Sequence, residues 1–161
     1  MAEVKRIAHK IVYAVETTIG SDPAYTAIAN IKAINDHELS RDNVDVTCLA
    51  NTVGSLWPHP ILKVGEIKLT LFWDEADTAT QGKLAAYMEV DPQPANTAQL
   101  QHQIYFPFGG GTFASKLTGD ITKTYTGWIK TLGETVYEVG NEVTRDVTIK
   151  ITSIPSTALT A

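Results

Sequence analysis

The chain has 161 residues, 43% hydrophobic and 19% charged, with a formal net charge of −5. That length fits a single domain over residues 1–161, large enough to bury about 70% of its unfolded surface. The composition excludes a disordered chain, the negative balance excludes a generic basic nucleic-acid surface, and a lone Cys48 excludes an intrachain disulfide.

Residues 1–20 read two ways. Val4, Ile7, Ala8, Ile11, Val12 and Val15 fall at helical spacing, yet 11–19 is rich in β-branched residues. The favoured reading is an N-terminal arm over 1–10 and a strand over 11–17. The apolar run at 11–15 is too short for a signal-peptide core, and no stretch approaches the ~20 apolar residues of a membrane span. Residues 20–23, Gly-Ser-Asp-Pro, form a turn. Loose alternation over 25–34 predicts one strand, and 36–42 a polar connection.

Val44, Val46 and Cys48 alternate with polar residues and predict a short strand. The next fifteen or so residues lack alternation and hold Gly54, Trp57, Pro58 and Pro60. A long irregular loop in a small domain is uncommon and usually functional or disordered. Leaving its apolar residues in water would be costly. Val53, Leu56, Trp57, His59, Ile61 and Leu62 are therefore expected to dock on a neighbouring subunit, with Trp57 at the apex. Residues 66–73 then alternate strictly: Ile67, Leu69 and Leu71 on one face, Glu66, Lys68 and Thr70 on the other. That is a half-buried strand.

Thr78 and Gln81 have the spacing of a capping box. Leu84, Tyr87 and Met88 lie on one stripe of the helix that follows, and Leu84 and Met88 are expected to pack on the outside of the sheet. The helix should stop before Asp91-Pro92. A strand over 102–106, a turn at Gly109-Gly110-Gly111 and a returning strand from 112 to 117 predict a hairpin. The glycine-punctuated stretch 119–141 reads as short strands or an extended excursion. Residues 142–152 form a last strand, with Val143, Val147, Ile149 and Ile151 inward. Glu142, Thr144, Asp146, Thr148, Lys150 and Thr152 face outward, and Arg145 breaks the pattern. A C-terminal tail follows at 154–161. The fold class is mainly β: an antiparallel β-sandwich or barrel with one flanking α-helix.

No chemistry rises from the polar residues. His9, His37, His59 and His102 lack metal-ligand spacing and read as scattered surface or loop histidines. Cys48 alternates with two valines and reads as a small core residue rather than a nucleophile. Asp74, Glu75 and Asp77 lack the D-x-D-x-D-G order of a calcium loop and suit a helix N-terminus instead. The glycine triplet lacks the Gly-Lys-Ser/Thr of a phosphate loop. Trp57, Trp73 and Trp128 lack the basic groove that single-strand stacking platforms require, and read as core or interface anchors. No enzyme, metal or cofactor is expected.

The order of segments is similar to a known family. Residues 25–34 (YTAIANIKAI), 39–47 (LSRDNVDVT) and 64–69 (VGEIKL) resemble the tail tube, or major tail, proteins of long-tailed bacteriophages. An amphipathic helix, the strand at 104–107 and the strand at 143–153 follow in the family's order. The resemblance covers roughly 10–154. The stretch 120–140 is longer than the family's connection, and the arm is hard to align. The resemblance implies a virion tail protein assembled in the host bacterial cytoplasm. It implies hexameric rings stacked around a tape measure protein, contacts to tail terminator and tail tip proteins, and DNA as transient, non-specific cargo. Lumen-lining candidates are Glu66, Lys68, Thr70, Thr144, Asp146, Thr148 and Lys150. Their four charges nearly cancel, and a wall without basic excess would let DNA slide rather than bind. The alternatives are a tube subunit of a type VI secretion or contractile injection system, and a monomeric ligand-binding β-sandwich.

Overall fold

The computed structural model describes residues 10–18, 24–45, 56–58, 61–89, 100–137 and 139–161, with backbone alone at 18, 43–45, 56–58 and 89. In chain order the strands are β1 (Val12–Thr18), β2 (Ala24–Ala27), β3 (Ile31–Asn35), β4 (Leu39–Ser40), β5 (Asn43–Asp45), β6 (Leu56–Pro58), β7 (Lys63–Val64) and β8 (Glu66–Phe72). Helix α1 (Gln81–Glu89) follows, then β9 (Leu100–Phe106), β10 (Ile121–Leu132), β11 (Thr144–Ile151) and β12 (Ser156–Leu159).

One antiparallel sheet dominates, in the order β2-β1-β9-β10-β11-β8-β3, with β12 also on β10. Its two outermost strands, β2 and β3, are consecutive in sequence and separated only by residues 28–30. Three residues span about 10 Å at most, so the sheet must curl until its edges nearly meet. The corner is pinned on both sides. The Ile28 N–H donates to the Tyr13 carbonyl at 2.9 Å, and the Phe72 N–H donates to the Asn30 carbonyl at 2.8 Å. Asn30 sits at φ 59°, a left-handed conformation that Asn tolerates better than most residues.

The strict alternation of β8 and β11 survives in space. Ile67, Leu69 and Leu71 meet Val147, Ile149 and Ile151 in one core with Tyr13, Val15, Leu100, Ile104, Tyr125 and Ile129. Burying each aliphatic side chain contributes about 1.5–3 kcal/mol before entropy costs. Gly127 lets β10 and β11 approach, since a Cβ there would lie 2.2 Å from the Lys150 carbonyl oxygen.

The curl is closed at both ends. At one end lies α1. Buried Gln81 donates through Nε2 to the carbonyls of Ala29 (3.1 Å) and Phe72 (2.8 Å), and accepts from the Asp74 N–H at 2.8 Å. Tyr87 donates to the Glu16 carbonyl at 2.9 Å. At the other end, Asp36 reaches from β3 to β10, where it accepts from Tyr125 and Lys123, both at 2.6 Å.

Several expectations change. The strand read over 25–34 is two strands broken at the corner. The polar connection at 36–42 contains β4, which pairs with β7. Thr78 and Gln81 form no capping box. Asp77 accepts from the Thr80 N–H at 2.8 Å, and Gln81 is drawn inward by carbonyls that need a donor. Leu84 is fully buried, but Met88, at 44% exposure, is not packed. Residues 112–117 are not a strand. The connection from 107 to 120 folds over Asp120, whose carboxylate accepts from Tyr105 Oη (2.6 Å) and the N–H groups of Gly109 and Leu117 (both 2.7 Å). The excursion at 119–141 holds the twelve-residue β10, which borders β9, β11 and β12. The tail at 154–161 contains β12, which carries on along β10 where β11 stops: Gly127 faces Ile151, and Thr124 faces Ser156. Pro155 falls in the break, where its missing N–H costs no ladder bond.

Candidate functional site

The seven lumen candidates share one face of the sheet. Glu66 faces Lys150, Lys68 faces Thr148, and Thr70 faces Asp146 across the β8–β11 ladder, with Thr144 opposite Phe72. Because Ile67, Leu69 and Leu71 point inward, period two turns these residues out. Thr70 Oγ1 donates to Asp146 Oδ1 at 2.8 Å. A residue the sequence reading missed joins them from β10: Lys130 Nζ lies 2.6 Å from Glu66 Oε1, and Lys150 Nζ lies 4.0 Å from the same oxygen. Reading 119–141 as an excursion hid Lys130; treating 121–132 as one alternating strand would have found it.

Glu66 is thus the hub of a small ion network. The hydrogen bond from Lys130, joined by the charges of Lys130, Lys150 and Lys68, outweighs desolvation and holds its carboxyl below the usual range. With Lys130 added, the patch carries three bases, Lys68, Lys130 and Lys150, against Glu66 and Asp146. The near balance read from two strands therefore tips to the basic side by one charge. Trp128, 40% exposed, stands opposite Lys150.

The expected docking loop is partly a β-ribbon. In β6, Leu56 pairs with Asp45 and Trp57 with Val44; β7 pairs with β4. Ile61 is 64% exposed, and Leu62 is half-buried. Val53, His59 and Cys48 lie outside the described residues, as do the side chains of Leu56 and Trp57. The ribbon folds back tightly at Gly65. Its N–H donates to the Glu38 carbonyl at 2.7 Å, and a Cβ would sit 2.8 Å from that oxygen.

Other described polar residues make structural contacts. His102, expected at the surface, is fully buried. Arg145, which broke the alternation, donates from Nε to the Gly133 carbonyl at 2.7 Å and stacks its guanidinium 4.4 Å from the Trp73 ring. Asp74 and Asp77 cap local backbone N–H groups in the turn before α1. Among the described residues no three His, Cys, Asp or Glu side chains gather as a metal site, and no helix is long and apolar enough to cross a membrane.

This curled antiparallel sheet with one flanking helix is shared with solved chains of tail-tube and contractile injection assemblies. The chain superposes on a chain of an extracellular contractile injection system, the PVC sheath/tube terminator in its extended state. That match has a TM-score of 0.64 and 11% identity over 98% of this chain and 99% of the other. It is likewise similar to the SPP1 tail tube (TM-score 0.63, 8% identity, 96% of this chain and 79% of that one). A third likeness is to a chain of the native gene transfer agent virion (TM-score 0.61, 12% identity, 96% and 99%). No family model and no curated protein sequence matches. At such low identity the shared property is the fold.

Proposed function

We propose that this chain is the repeating structural subunit of a phage-type tail tube, located in the virion tail and assembled in the host bacterial cytoplasm. Copies form hexameric rings that stack around a tape measure protein and later conduct DNA as transient, non-specific cargo. Tail terminator and tail tip proteins meet the two ends of the tube. Glu66, Lys68, Thr70, Thr144, Asp146, Thr148 and Lys150, joined by Lys130, line the lumen. The ribbon bearing Val53, Leu56, Trp57, His59, Ile61 and Leu62 docks between subunits.

The observation that carries this reading is the polar β10–β11–β8 face, which presents Glu66 already engaged by Lys130 and Lys150, on a fold similar to that of a sheath/tube terminator chain and of the SPP1 tail tube. Glu66 engages Lys130 and Lys150, which limits the positive charge the wall offers phosphates despite its excess of one base. The contractile injection likeness favours a second reading, a tube subunit of such a system.

Negative-stain microscopy of the purified chain at rising concentration tests the proposal. The expected result is hollow tubes with six-fold end views. A monomer at every concentration would refute it and favour a ligand-binding β-sandwich. Imaging the native particle separates the two tube readings, since a surrounding sheath with no packaged genome marks an injection system.

A further inference from the structure

The exposed large apolar residues are not spread over the surface. Met88, Val136, Tyr137 and Val139 lie on the plugging helix and on the neighbouring β10–β11 connection. Leu39, Ile61, Phe108, Leu117, Ile154 and Leu159 lie on the ribbon, the 107–120 connection and β12, which the sheet topology puts at the opposite end. Among the described residues only Trp128 interrupts the polar wall between them. Apolar clusters of this kind on an otherwise polar surface mark interaction sites.

The two ends also differ in sign. Exposed or half-exposed acids at the helix end are Asp74, Glu75, Asp77, Glu134 and Glu142, against Lys32, Lys83 and Arg145. At the other end, among residues with described side chains, the bases Lys10, Arg41, Lys63, Lys116 and Lys123 outnumber Asp36, Glu38 and Asp42 outside the core, with Lys63 paired to Asp42 and Lys123 to Asp36. The acidic end is shaped as well as charged. Tyr137 donates its hydroxyl to the Glu75 carboxylate, and Val136 bridges back to Thr144, so these two residues are held in place.

We propose that the β10–β11 tip, with Val136, Tyr137 and Val139 as its apolar centre, docks onto the ribbon end of a second copy of this chain. Acids at Glu134 and Glu142 meet bases at Arg41 and Lys63 around that centre. The contact is head-to-tail: each copy offers one sign above and the other below. Such an interface does not close on itself and generates an open stack. The proposal rests on the tube reading and adds to it the second half of the axial joint, opposite the Trp57 ribbon. Complementary charge around an apolar centre sets polarity and register and rejects a head-to-head approach.

The test uses two charge-reversed full-length variants. E134K/E142K makes both ends basic, and R41E/K63E makes both ends acidic. All four positions are exposed, so both variants should keep the wild-type circular dichroism spectrum. Each alone should need at least a tenfold higher concentration to form tubes, because every axial contact would then oppose like charges. An equimolar mixture should assemble near the wild-type concentration, since each variant's ends complement the other's. Variants that assemble alone as readily as wild type, or a mixture that stays unassembled, would overturn the joint while leaving the tube reading intact. A wild-type chain that never assembles would overturn both.

Discussion

The Tyr13 hydroxyl lies 2.7 Å from His102 Nδ1, with both rings fully buried. The opposite ring nitrogen, Nε2, stands 3.3 Å from the Gly127 carbonyl, which can only accept. Nε2 therefore carries the proton, Nδ1 accepts, and Tyr13 donates. A neutral imidazole thus ties β1 to β9 and β10 through the middle of the core.

This pairing sets an acid limit on stability. Burial pushes the His102 pKa down from 6.5 to about 4. Above pH 6.5 the ring is neutral in both folded and unfolded chains, and its contribution is complete. As pH falls from 6.5 towards 4 the unfolded chain takes up a proton that the folded one refuses, so stability declines, by about 3 kcal/mol in all. Melting curves across that window should show the decline, and His102→Gln should flatten it. An equal slope in the variant would show that another group governs.

Asp36 acts in a lower window. Burial opposes its charge, but hydrogen bonds from Lys123, Tyr125 and His37 outweigh that cost and hold its carboxyl well below the usual range. Its contribution is present above the unfolded pKa of about 4 and fades as pH drops below it. Asp36→Asn should cost about 2 kcal/mol at neutral pH by weakening charge-assisted bonds. Urea unfolding gives the number; a midpoint within error of wild type would mean that Tyr125 and Lys123 find other partners.

Two positions on α1 should behave oppositely. Leu84 is fully buried, so Leu84→Ala should cost about 2–5 kcal/mol, and Leu84→Asp should leave no folded subunit, because its charge would be buried unpaired. Met88→Asp should fold normally. Limited proteolysis of the three variants separates these outcomes.

Removing the acid at the centre of the polar wall should change how it meets DNA. Glu66→Gln loses the charge that engages Lys130 and Lys150. Assembly should persist, since no core residue changes. DNA retention by the tubes in a filter assay should rise and should fall steeply with added salt. Retention equal to wild type at low salt would place this face away from DNA.

The strands legible in the sequence were those with one aliphatic face and one polar face. Ile67, Leu69, Leu71 and Val147, Ile149, Ile151 announce β8 and β11. β10 was hidden because its inward positions include Lys123, Tyr125 and Gly127, which no hydrophobicity pattern selects. Lys123 and Tyr125 are suited there by Asp36, far away in sequence, and Gly127 by the backbone of Lys150. His102 was misread for the same reason: its partner Tyr13 is 89 residues distant. Gln81 looked like a cap because its spacing from Thr78 fits one, yet the unpaired carbonyls of Ala29 and Phe72 compete for its amide and win. The polar face proposed to line the lumen was half visible; its third strand, with Lys130, depended on recognising β10.

The three-residue corner between β2 and β3 also constrains the order of synthesis. When residues 24–35 leave the ribosome, β1 and β2 can pair as a hairpin, but β3 must wait for β8 and β1 for β9. Closure joins segments up to about ninety positions apart, and such non-local pairing slows folding. β3 presents an unpaired edge until residue 72 has emerged, and β1 until residue 106, so a nascent subunit is most open to mispairing with its neighbours on a crowded polysome at mid-translation.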